Sequence, residues 1–98
     1  MAARHDFGEL LAHYPDTIAV MGDEFTSHQF ILRLAQRNQG LYINALHAYW
    51  DEPAPFRIVH GILAPHLHAV SELVTYAGDV DSVDIFGQLR PCASWHKL

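Results

Sequence analysis

The groups able to do chemistry in this 98-residue chain are eight histidines, one cysteine and a few arginines. Imidazole and thiolate are zinc ligands, and His66, His68, Cys92 and His96 supply four of them. Their spacing argues against a shared ion. On a helix, residues i and i+2 point to different sides, so His66 and His68 diverge. His60 and His68 share a side but lie about two turns apart. Cys92 and His96 would converge only on a helix, and their surroundings, PCASWHK, read as a strand. Scattered surface and core imidazoles are therefore expected, with no metal and no cofactor. Nucleophilic catalysis would need Cys92 or a serine beside an oriented histidine. Ser94 and His96 alternate onto one strand face, which is no triad, and no GxSxG, P-loop or GxGxxG pattern is present. The expectation is a protein that is not an enzyme. The neighbouring carboxylates Asp23-Glu24 and Asp51-Glu52 read as solvated charges at loop or helix ends.

A different constellation stands out between Pro53 and Ser71. This stretch holds Arg57, His60, His66 and His68 and no acidic residue, in a chain with six Lys and Arg against eleven Asp and Glu. Helical periodicity is expected from about Pro55 to Val70. Val59, Ile62, Leu63, Leu67 and Val70 form its buried face, and Arg57, His60, Gly61, Ala64 and His68 fall on the opposite side. His66 projects toward the core side. Pro55 suits a first helical turn, where its missing N–H costs little; Pro65 lies inside the pattern and predicts a kink or a break.

The elements around it follow from similar patterns. Phe7, Leu10, Leu11 and Tyr14 predict a short helix over about Arg4–Tyr14, limited by Pro15. Ile18, Val20, Met21 and Phe25 suggest one more turn before Gly22 loosens the chain. Thr26 or Ser27 can cap a helix to about Arg37, with Phe30, Ile31, Leu34 and Ala35 inward and Asn38-Gln39-Gly40 as its stop. The acidic pair Asp23-Glu24 then lies near the positive end of that helix dipole. Tyr42, Ala45, Leu46 and Tyr49 predict a helix over about Leu41–Trp50. Beyond Val70 the period changes. Leu73–Ala77 reads as a strand stopping at Gly78-Asp79, and Cys92–Lys97 as a second, with a long intervening loop in which Ile85 and Phe86 tuck back onto the body and Gly87 turns the chain. An alternative pairs Leu73–Ala77 with Val83–Phe86. The core is expected around Phe30, Leu34, Leu46, Val59, Leu63, Leu67 and Val74. The other aromatics read as core before base-stacking groups, with the faces of Trp50 and Trp95 left open.

The bulk numbers narrow the class. Ninety-eight residues make one domain with a small core: an N-terminal helical segment over 1–25, then the rest over 26–98. No apolar run suits a membrane span, nor the N-terminus a secretory signal. A single cysteine permits no intrachain disulfide, and the cytoplasm is the expected compartment. A net charge of −5 argues against tight, sequence-independent nucleic-acid binding, because phosphate contacts supply most of such affinity.

From Ser27 to Lys97 the order helix, helix, turn, helix, strand, loop, strand resembles the winged helix-turn-helix superfamily. The resemblance implies an α+β, mainly helical winged-helix-like domain of about four helices with a C-terminal two-stranded wing. It places a recognition helix over Arg57, His60, Gly61, Ala64 and His68 and wing contacts at Gln88 and Arg90. It implies a small binding module, with DNA as one class of partner and a protein as the other; homodimers also occur in this superfamily, and a small metal-binding protein or enzyme stands as a distant third reading. Asp79, Asp81 and Asp84 in the wing, and a recognition face with one Arg and no Lys, Asn or Gln, bring the protein partner level with DNA. A positive stripe of Arg57, His60 and His68 joined by Arg33, Arg37 and Arg90 would favour nucleic acid. A neutral apolar surface would favour protein, as would an exposed tryptophan.

Overall fold

A reciprocal cap organises the centre of the chain. In a computed structural model, which describes residues 4–98, the Thr26 hydroxyl accepts from the Gln29 N–H and the Gln29 side chain accepts from the Thr26 N–H. Two otherwise orphaned donors are satisfied, and the helix starts sharply. Met1–Ala3, the start of the expected N-terminal segment, lie outside the described residues.

The elements are α1 (Gly8–Ala12), α2 (Tyr14–Ala19), β1 (Glu24–Thr26), α3 (Ser27–Arg37), α4 (Gln39–His47), α5 (Pro55–Leu63), a 3-10 helix (Pro65–Val70), β2 (Val74–Val83) and β3 (Leu89–Lys97). This is an α+β domain: helices precede a C-terminal β2–β3 hairpin in a three-stranded antiparallel sheet of order β1-β3-β2, an arrangement consistent with a winged-helix-like fold. Among the described residues no helix is long and apolar enough to cross a membrane.

Several boundaries differ from expectation for local reasons. Pro15 does not merely end the first helix; it sits in the first turn of α2, where no N–H is required. Phe25 belongs not to a helical turn but to β1, whose three residues pair with Ser94–His96. A strand of that length is too short to display a period. The helix expected over Leu41–Trp50 is displaced two to three residues toward the N-terminus, because only Asn38 separates α3 from α4. Pro65 does break the fourth helix. It lacks the N–H that would continue the α ladder, and the chain goes on as a 3-10 helix.

The hairpin is longer and its loop shorter than the sequence suggested. Gly78-Asp79 is not a stop. Between the pairs Tyr76↔Trp95 and Asp79↔Ala93 the register shifts, and Gly78 adopts φ 100°, so the strand bulges and resumes. The turn is built by Asp84 and Gly87. The Gly87 N–H donates to the Asp84 carbonyl, and Asp84 Oδ1 accepts from the Phe86 and Gln88 N–H groups at 2.9 and 3.0 Å. Gly87 lies at φ 83°, where an L side chain would be strained. The alternative pairing with Val83–Phe86 does not form.

One core joins all these parts. Phe30, Leu34, Val59, Leu63, Leu67 and Val74 are buried as expected, while Leu46 is only half-buried. Phe7, Leu10, Tyr14 and Ile18 from α1–α2 enter the same cluster, and the Tyr14 hydroxyl donates to the Leu63 carbonyl at the end of α5. Trp95 is fully buried, its indole N–H donating to Ser27 Oγ at 3.0 Å, whereas Trp50 is 73% exposed. The two tryptophans thus take opposite environments.

Candidate functional site

Helix α5 divides its residues as an amphipathic helix must. Val59 and Leu63 point into the core; Arg57 and Gly61 are exposed, and His60 and Ala64 are half-buried on the other side. The 3-10 helix then carries His68 onward against the sheet. Its ring meets Trp95 edge-on with centroids 4.8 Å apart and lies 5.7 Å from Tyr76. At the opposite end, Phe56 meets Phe86 of the β-turn edge-to-face at 5.0 Å. Between these two contacts α5 and the hairpin stand apart, leaving a groove of about 660 Å³.

All seven residues placed on the binding face by the winged-helix resemblance line this groove: Arg57, His60, Gly61, Ala64 and His68 from the helical side, and Gln88 and Arg90 from the hairpin. Pro91, Cys92 and Ala93 of β3 continue the hairpin wall, and His28 and Ile31 of α3 contribute another side. The face is concave. A recognition helix entering a DNA major groove needs a free convex surface; here the turn reaches back and touches the first turn of α5.

His60 is anchored rather than free. Its Nε2 lies 2.6 Å from the Tyr42 hydroxyl, and the two rings stack with centroids 5.9 Å apart. Burial pushes the Tyr42 phenol up to about 12, so it stays protonated and can donate to a neutral imidazole. Burial also lowers the His60 pKa, reinforced by repulsion from His28 and opposed by the Asp84 carboxylate. His60 therefore takes up positive charge less readily than an ordinary imidazole, because desolvation disfavours its charged form. His28 is held by the hairpin, its Nδ1 lying 3.0 Å from the Ser82 carbonyl oxygen.

The permanent charges in the groove are two arginines and one carboxylate. Arg57 makes no ion pair among the described residues, whereas Arg90 lies 3.8 Å from Asp84 and donates to the Gln88 side chain. Asp84 is held below its ordinary carboxylate value chiefly by the backbone N–H groups of Gln88 and Phe86, with desolvation opposing, so its charge is committed to the turn. Of the arginines expected to extend the positive stripe, Arg90 joins Arg57, His60 and His68 in the groove, whereas Arg33 does not line it. Arg33 lies in a separate, smaller pocket with Gln29, Leu32 and Gln36, on a flank of α3 away from His28 and Ile31. Among the described residues no group of three or more His, Cys, Asp and Glu side chains is arranged to hold a metal ion.

Sequence reading missed some of the groove for identifiable reasons. Phe56 carried no signal beyond being apolar beside a proline. The Tyr42–His60 bond joins residues 18 positions apart on different helices, which no single-element period can reveal. No protein-family model matches the chain, and comparisons with curated proteins and with solved structures return no match.

Proposed function

We propose that this protein is a small winged-helix-like binding module that engages a protein partner through the groove between α5 and the hairpin. The observation that carries the reading is the Phe56–Phe86 contact, which folds the turn onto the helix and makes the recognition-position face the wall of a groove. Its exposed lining is mostly apolar, from residues such as Ile31, Ala64, Ile85, Phe86 and Ala93, with eight polar or charged side chains between. Mostly apolar concavities with a few placed polar groups suit side-chain capture better than phosphate tracking. The net charge of −5 and the exposed Asp79 and Asp81 on the hairpin add repulsion toward a polyanion.

A second reading, nucleic-acid binding, draws support from one feature: Arg57 and Arg90, one from the helix and one from the hairpin, line the same groove. Titration with mixed-sequence DNA and RNA at low and moderate salt separates the two. The protein-partner reading expects no binding at low salt. Binding that weakens steeply with salt, and is lost in a folded Arg57→Gln variant, would replace it with the nucleic-acid reading.

A further inference from the structure

We infer that the groove selects an acidic, apolar peptide segment of a partner protein, with large apolar side chains held along the α5–hairpin cleft and a carboxylate received by Arg57. The inference rests on the protein-partner reading above and adds the chemistry of the partner.

Charge distribution is the first support. Two of the six Lys and Arg residues line this groove, but only one of the eleven Asp and Glu residues does. The remainder of the chain therefore carries four basic residues against ten acidic ones. On a protein of negative net charge, the groove is a local reversal of sign. Its one carboxylate is already engaged. Asp84 Oδ1 accepts two backbone N–H groups, and Oδ2 faces Arg90. Arg57 lacks a counterion among the described residues. A carboxylate from outside would supply one without displacing an existing bond, and the planar guanidinium suits it geometrically.

The second support is the wall between the charges. Gly61 lies in the middle of α5, where it weakens a helix relative to alanine. Nothing lies within 4 Å of the position its Cβ would take. The helix therefore exposes bare backbone to the groove at the point midway between Arg57 and Ala64–Pro65, and an occupant can approach closely there. Ile31, Ile85 and Ala93 line the same groove and offer contact to apolar side chains. A basic segment would face two arginines, and a purely apolar one would leave Arg57 facing it without a counterion.

The test is selection of a displayed random-sequence peptide library on the full-length protein, followed by affinity measurement of synthetic versions of the enriched peptides. Three variants accompany it: Gly61→Phe, which fills the groove at an open helix position, and Arg57→Gln and Arg90→Gln, which remove charge at exposed sites. Circular dichroism establishes that each is folded. The expected result is enrichment of peptides combining Glu or Asp with Leu, Phe or Trp. Their binding should be abolished in Gly61→Phe and weakened roughly tenfold or more in Arg57→Gln, the scale of a lost charge-assisted hydrogen bond. Enriched peptides that are neutral or basic, blocked by Gly61→Phe but indifferent to both arginine changes, would overturn the acidic specificity and leave the groove-binding reading standing. Failure to enrich any peptide, or binding that ignores Gly61→Phe, would overturn both. Displacement of a bound peptide by short single-stranded DNA at equal affinity would overturn the inference in favour of nucleic acid.

Discussion

Phe56, in the first turn of α5, and Phe86, in the β-turn of the hairpin, meet edge-to-face with ring planes at 89° and centroids 5.0 Å apart. Both rings remain partly exposed, at 39% and 59%, so little area is buried by their contact. Its importance is geometric: it bridges one end of the groove and sets the distance between its two walls. Edge-to-face pairs contribute about 0.5–1.5 kcal/mol beyond area burial. A double-mutant cycle of Phe56→Ala and Phe86→Ala, read by urea unfolding, is expected to give a coupling energy in that range. The single Phe86→Ala change should also speed amide exchange over residues 84–88. Zero coupling would mean that the turn does not rest on the helix.

Gly61 allows a prediction of opposite sign. Its backbone is helical and its Cβ direction is open. Gly61→Ala should therefore stabilise the protein by about 0.5–1 kcal/mol, through helix propensity and reduced freedom of the unfolded chain. Destabilisation in thermal or urea unfolding would show that a neighbour occupies that space.

Leu63 closes the inner face of α5 and is fully buried, and its own carbonyl accepts from the Tyr14 hydroxyl. Leu63→Ala is expected to cost about 2–5 kcal/mol, through lost transfer free energy and the cavity left behind. A loss below about 1 kcal/mol in denaturant unfolding would contradict the placement of this face.

The pH dependence follows from His60. Its pKa is lowered in the folded protein from the ordinary 6.5, first by burial and then by His28. The unfolded chain therefore takes up the proton more readily. The stability contributed by the neutral imidazole is complete above about pH 6.5 and declines as pH falls from there through the folded value. Unfolding free energies measured across this window should fall with acidification in the wild type and fall less in His60→Gln. A histidine NMR titration should place His60 below the ordinary value; a midpoint at or above it would remove the effect.

Different parts of the molecule were legible in the sequence to different degrees. The span Ser27–Arg37 agrees end to end with expectation, because a capping box, an apolar stripe and Asn38 act on neighbouring residues. The outward side of α5 was also readable. Helical geometry places Arg57, His60, Gly61 and Ala64 together, whatever they face. The hairpin was readable only at its outer ends. Gly78 looks like a terminator, and becomes a bulge only because β3 is present to pair on both sides of it. Asp84 and Gly87 closed a turn that looked too long, through bonds made by one carboxylate.

Short-range patterns in the sequence therefore determined the α+β order of helices followed by a hairpin, the limits of α3 and α5 and which α5 residues face away from the core. They did so because capping, periodicity and proline geometry operate over a few neighbouring residues. Only tertiary structure decided that this face is a groove, that Trp95 is buried and Trp50 exposed, and that His60 is bonded to Tyr42 and disfavoured as a cation. Those outcomes depend on contacts between elements far apart in the chain. Desolvation and close packing are properties of the assembled surroundings, and no local run of residues contains them.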